Sequence, residues 1–131
     1  MAGWKLNAAA ARQGRFMWIT TTKGFFSVVK YDGDTTHFIV RSRVKGDIEA
    51  MWPNARVVSW PDRDYAFRAR IPRWDVIEAM EEAIQAIDYP NFKSAVEDKR
   101  RLPYYGWVWC VMADMQDALE ASDRSYRKPV E

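Results

Sequence analysis

Across residues 17–44 (MWITTTKGFFSVVKYDGDTTHFIVRSRV) apolar and polar side chains alternate with a period of two, and aromatic and β-branched residues dominate. Such a stretch folds as strand, because successive side chains of a strand point to opposite faces. Asp32-Gly33-Asp34 breaks it once, and Asp-Gly between alternating runs marks a hairpin. One strand is therefore expected over about 16–31 and its return over 37–44. Gly24, inside the first, suggests a bulge or a close backbone approach. Phe26 and Val28 point one way, with Phe25, Ser27 and Val29 opposite. In the return strand Phe38, Val40 and Val44 oppose Ile39, Arg41 and Arg43.

The rest of the chain supplies a second pair of strands and the helices to cover them. Ile48, Met51 and Trp52 are spaced for one short helix, ended by Pro53-Asn54. Residues 55–60 read as a third strand, closed by Pro61-Asp62. Residues 64–71 read as a fourth, with Tyr65, Phe67, Ala69 and Ile71 alternating with Ala66, Arg68 and Arg70. Pro72 opens a helix in which Trp74, Ile77, Met80, Ile84 and Ile87 form a stripe expected to face the sheet. Asp75, Glu78, Glu81 and Glu82 lie toward its N-terminal half, where the helix dipole favours negative charge. Asn91 is placed to cap a short helix through Val96, and a last helix over 104–121 carries Val108, Val111, Met112, Met115 and Leu119 on one face.

The order ββα-ββα-αα predicts a two-layer α+β sandwich with an antiparallel four-stranded sheet, ferredoxin-like or permuted, and extra C-terminal helices. The domain is expected over 16–121, with 1–15 a flexible arm and 122–131 a disordered tail. Met17, where the pattern begins, stands either as an original start or as the end of a native arm.

Chemistry is harder to find. Twenty basic residues against 18 acidic give a net charge of +2, too balanced to imply nucleic-acid binding from composition alone. The single cysteine, Cys110, excludes an internal disulfide and favours a reducing compartment. One cysteine and one histidine cannot build a structural zinc site, and Asp32 and Asp34 with Thr35 and Thr36 fall short of a calcium loop. His37 has no nucleophile beside it, and the glycines make no phosphate-binding fingerprint. No cofactor is expected, and the chain is read as a non-enzyme. Its apolar runs are too short for a membrane span, and Ala8 to Ala11 is too short for a signal region, so a cytoplasmic setting is expected.

Several stretches together carry a resemblance: MWITTTKGFFSVV, Asp64-Tyr65 with Phe67-Arg68, Asp88-Tyr89-Pro90-Asn91-Phe92-Lys93, and Val108-Trp109 with Met112 and Gln116. Over about 17–116 the chain resembles a set of small uncharacterised proteins encoded by bacteria and their phages, with no assigned activity. The resemblance implies a shared fold and a phage or prophage origin, and supplies no catalytic residues.

Two binding surfaces follow from the residues themselves. Tyr89, Asn91, Phe92 and Lys93, together with Tyr104, Tyr105 and Trp107, form the candidate surface for a host or phage protein, or for a second copy of the chain. The same segment can serve as a plain helix connection, with Asn91 capping and Tyr89 and Phe92 plugging the core edge. Arg41, Arg43, Arg68 and Arg70 share a face if their strands share the sheet. Beside Phe25, Tyr31 or Trp60 they suit bases and phosphates, or are covered by a protein partner, or else form a solvated face that discourages edge pairing. The leading expectation is a protein-binding module, with nucleic-acid binding as the alternative.

Overall fold

The computed structural model describes residues 16–126, and their contacts divide into two compact units that meet after Asp88. The first unit is α+β. Its strands are β1 (Phe16–Thr21), β2 (Gly24–Tyr31), β3 (Asp34–Ser42), β4 (Val58–Ser59) and β5 (Phe67–Pro72). They form one antiparallel sheet in the order β1-β2-β3-β5-β4. Two helices belong to this unit, α1 (Asp47–Met51) and α2 (Arg73–Gln85).

The sheet has five strands rather than four, because the long first strand is itself a hairpin. Thr21 pairs with Gly24 across the two-residue loop Thr22-Lys23. The Thr21 hydroxyl accepts from the backbone N–H of Lys23 and of Gly24 and donates to the Gly24 carbonyl, which closes the turn. Gly24 is thus the first residue of β2, not a mid-strand bulge. The close approach expected of it is present: a Cβ there would stand 2.9 Å from Phe26 Cζ. At the next turn Gly33 takes φ +78°, the left-handed conformation that asks for glycine. The expected third strand over 55–60 shrinks to the two residues of β4 at the sheet edge.

One face of the sheet carries the core. Phe26, Val28, Val40, Ala69 and Ile71 point into it and meet Ile48, Trp52 and Val76 from the helices. Trp52 packs edge-to-face on Phe26 at 5.5 Å and donates its indole N–H to the Asp75 carbonyl at 3.1 Å. Of the stripe expected to bury α2 only Met80 packs against the core: Trp74, Ile77, Ile84 and Ile87 are exposed, while Val76 is buried and Ala79 packs beside it. The small Ala79 and β-branched Val76 let the helix approach β3 and β5 closely. Beside α2, an apolar groove of about 820 Å³ runs over the β1–β2 half of the same face, lined by Met17, Ile19, Phe38, Ile77, Met80 and Ile84 among others.

The second unit holds a single 3₁₀ turn, Lys93–Ala95, and the 25-residue α3 (Leu102–Tyr126). Asn91 Oδ1 accepts from the Ser94 N–H at 3.3 Å, as an N-cap does, and Val96 is buried just beyond the turn. α3 continues through Tyr126, beyond Ser122, where the sequence suggested a tail. The expected arm at 1–15 and the end of the tail lie outside the described residues.

Candidate nucleic-acid interface

The core helices take one face of the sheet, and the strand period sends a different set of side chains to the other. The register places Trp18 of β1 beside Ser27 of β2, Ser27 beside Arg41 of β3, Arg41 beside Arg68 of β5, and Arg68 beside Val58 of β4. At the usual strand spacing this row crosses all five strands in about 19 Å. Arg70 lies one row away, opposite Ile39, and Arg43 follows the end of β3. The four arginines singled out from the sequence therefore gather on one face.

What positions them is a set of aromatic rings. Tyr65, only 3% exposed, stands just ahead of β5 and turns its ring toward the arginines. The guanidinium carbons of Arg41 and Arg43 lie 4.6 and 4.2 Å from its centroid. Arg63 and Arg68 each lie 5.1 Å from the centroid of Trp60, which is 48% exposed. Arg70 lies 5.2 Å from the Tyr31 ring. Such contacts contribute about 0.5–1 kcal/mol each at exposed sites, and they hold a flexible side chain flat against its support. Hydrogen bonds complete the placement: Arg41 Nη2 donates to Ser27 Oγ at 2.9 Å, Arg43 Nη1 to the Asp64 carbonyl at 2.7 Å, and Arg68 Nη2 to the Tyr65 carbonyl at 3.4 Å.

These cations differ in how their charge is answered. Arg70 pairs with Asp34, whose carboxyl is held well below the usual carboxylate range. The causes are hydrogen bonds from the Thr36 hydroxyl and N–H first, and the Arg70 guanidinium after them, against an opposing effect of burial. Arg41, Arg43, Arg63 and Arg68 make no ion pair with a carboxylate among the described residues. Burial pushes the pKa of Arg68 down, the guanidiniums of Arg41 and Arg63 push it the same way, and Asp64 opposes them. The Nε atoms of Arg41 and Arg68 are shielded from solvent without a hydrogen-bond partner. The group is thus a crowded positive site, and an anion laid across it would relieve the repulsion.

Further rings border the site. Trp18 and Phe25 pack at 6.0 Å on the β1–β2 side, and Trp18 is exposed. Sequence reasoning named Phe25, Tyr31 and Trp60 as neighbours of the arginines but missed Trp18, Arg63 and the supporting role of Tyr65. Alternation alone puts Trp18 on the side of Phe26 and Val28; the two-residue turn at Thr22-Lys23 reverses the parity and sets it beside Ser27. Arg63 and Tyr65 depend on the path of the 60–66 loop, which pairs the Trp60 N–H with the Ala66 carbonyl.

The other candidate surface lies in the second unit. Tyr89, Phe92 and Tyr105 form a ladder of rings at 6.4 and 5.7 Å, and Lys93 Nζ lies 5.1 Å from the Trp109 ring centroid. Tyr104 and Trp107 pack edge-to-face at 5.0 Å and are 62% and 60% exposed. Asn91 is spent on its cap. The segment 89–93 thus behaves as a structured connection, while Tyr104 and Trp107 remain open to solvent.

Elsewhere, His37 Nδ1 lies 3.0 Å from Asp34 Oδ2 and 2.7 Å from Thr36 Oγ1, a polar turn without a nucleophile. Among the described residues no group of three or more His, Cys, Asp or Glu side chains could hold a metal ion, and no helix is long and apolar enough to cross a membrane. Cys110 is a free, exposed thiol. No protein-family model matches the chain, and searches of curated proteins and of solved structures likewise returned no significant match.

Proposed function

We propose that this protein binds single-stranded nucleic acid across the sheet face opposite α1 and α2, without catalysing a reaction. One observation carries the reading: Arg41, Arg43, Arg63 and Arg68 stand together, stacked on Tyr65 and Trp60, with no ion pair to a carboxylate among the described residues. Guanidinium groups bind phosphate oxygens bidentately, and exposed rings such as Trp60 and Trp18 accept bases by stacking. A sheet face offers that combination to an unpaired strand, whose bases are free to turn toward the protein. Phosphate contacts carry no sequence information, so recognition is dominated by the backbone and tolerant of sequence. In the same reading, β2-β3-β5-β4 is a ferredoxin-like sheet whose last strand has moved to the front of the chain. β3-α1-β4 is its split β-α-β unit, with β5 between the strands, and β1 is an added edge. The resemblance to bacterial and phage proteins supports a cytoplasmic setting in a bacterial cell.

The test is binding of a fluorescently labelled single-stranded oligonucleotide to the full chain, compared with Arg43→Glu and Trp60→Ala. Base stacking on a ring contributes about 1–3 kcal/mol. Trp60→Ala is therefore expected to weaken binding by about 5-fold or more with circular dichroism unchanged, and Arg43→Glu by at least as much. Absence of binding by the parent, or equal binding by both folded variants, overturns the reading.

A second reading rests on the exposed Tyr104–Trp107 pair: a host or phage protein docks on the start of α3. Aromatic anchors of this kind dominate many protein interfaces. Retention of a protein partner by the parent and its loss in Trp107→Ala, after nuclease treatment, would support it.

A further inference from the structure

The apolar groove beside α2 lies within the first unit, on the sheet face opposite the arginines. The strand register explains why it is there. Met17 pairs with Val28 and Ile19 with Phe26, so both turn to the core side of the sheet. α2 packs over β3 and β5, which leaves a trough between those β1 side chains and Ile77, Met80 and Ile84 of the helix. Its volume, about 820 Å³, is that of a small-molecule site.

The groove is polarised along its length. Lys30 stands directly across from Phe38 in the β2–β3 register, and the guanidinium carbon of Arg73 lies 4.4 Å from the Phe38 ring centroid. Both cations line the groove, and neither makes an ion pair with a carboxylate among the described residues. The Nε atom of Arg73 is shielded from solvent without a hydrogen-bond partner. Glu81, the acidic residue of the lining, stands about 12 Å further along α2, where it accepts from the Gln85 amide at 3.4 Å. From Arg73 to Ile84 the helix wall runs about 16 Å. A complementary ligand is therefore anionic at the Phe38 end and apolar for the rest. An aliphatic chain also brings no polar groups that the apolar wall would leave without hydrogen bonds.

We infer that this groove binds a long-chain carboxylate of the fatty-acid class, with its head between Lys30 and Arg73 and its tail along Ile19, Met80 and Ile84. The guanidinium fork takes both carboxylate oxygens, Lys30 adds a point charge, and Glu81 disfavours the reversed orientation. Binding here goes beyond the nucleic-acid reading and does not depend on it, since the two sites occupy opposite faces of the sheet.

Isothermal titration of the full chain with dodecanoate, kept below its micelle concentration at pH 8, tests the site. The expected result is saturable binding of one ligand per chain with a micromolar Kd. Octanoate, with four fewer methylenes to bury, should bind about tenfold more weakly or worse. Dodecyltrimethylammonium, with the same tail and the opposite head charge, should also be weaker by about tenfold or more. Lys30 and Ile84 are exposed, so Lys30→Glu and Ile84→Glu should keep the parent circular dichroism. Each should weaken dodecanoate by about fivefold or more, and Lys30→Glu should strengthen dodecyltrimethylammonium. The absence of saturable binding, as when another segment of the chain or a second copy fills the groove, overturns the inference. Equal affinity for the two dodecyl ligands overturns it as well, and so does undiminished dodecanoate binding by either folded variant.

Discussion

Substituting alanine for Gly24 should destabilise the first unit, and the cause is space, not backbone conformation. Gly24 does not occupy the left-handed region, so its dihedral angles admit any residue. The obstacle is what the new methyl would meet: Phe26 Cζ at 2.9 Å, Asp47 Oδ2 at 3.1 Å and Asp47 Cγ at 3.2 Å. Phe26 is 1% exposed and held by the Trp52 ring, and Asp47 is buried at the start of α1, so neither has room to withdraw. Overpacking of a core site by one methyl costs about 1–3 kcal/mol. In a unit of this size each kcal/mol lowers the melting midpoint by about 4–8 °C, so a fall of about 4–24 °C is expected. Gly106→Ala is the companion, since nothing lies within 4 Å of its Cβ position in α3. There alanine should stabilise the helix by about 0.5–1 kcal/mol. Urea melts followed by tryptophan fluorescence and by circular dichroism read both. A Gly24→Ala protein as stable as its parent would show that the β1–β2 turn is not packed against α1 as described.

Two further outcomes follow from the polar groups. The Asp34 carboxyl is depressed in the folded state by Thr36 and Arg70, so its stabilisation is complete above the unfolded carboxylate value, about 3.9. It is lost as pH falls below that. Asp34→Asn should therefore narrow its stability deficit relative to the parent in melts taken from pH 6 down to pH 2, and a deficit independent of pH would refute the assignment. Cys110 is exposed on α3, so a thiol reagent should modify one group per chain in the native protein at the rate of the urea-unfolded chain, within about tenfold. Full protection would contradict its placement.

Period-two alternation makes Arg41 and Arg43 one set and Arg68 and Arg70 another, but which face each set takes depends on register. A shift between Lys30 and Tyr31 sets Arg41 opposite Ser27, and the β3–β5 pairing sets Arg68 opposite Arg41. The turn at Thr22-Lys23 was not legible in the same way. Both residues hold ordinary negative φ, so the sequence needs neither glycine nor asparagine inside the loop, and the Thr21 hydroxyl does the closing. The buried side of α2 was misread because the larger residues of the helix form the more conspicuous stripe. Burial follows Val76 and Ala79, with Met80 the one member of that stripe that packs on the core. β4 was overextended for a related reason: residues 55–57 read as strand, but no strand pairs with them, and only Val58 and Ser59 reach β5. Arg63 and Tyr65 joined the site through loop geometry, on which periodicity is silent.

The proposal that the arginine-bearing sheet face holds a nucleic-acid backbone through Arg41, Arg43, Arg63 and Arg68 is tested most directly by the salt dependence of binding. Single strands release counterions with a logarithmic slope of about −0.7 per phosphate neutralised, so four contacts give a slope near −2.8. Fluorescence anisotropy with a labelled single-stranded oligonucleotide should then show affinity falling about 50-fold between 50 and 200 mM salt. Affinity that holds constant across that range, or no binding at 50 mM, would contradict the account.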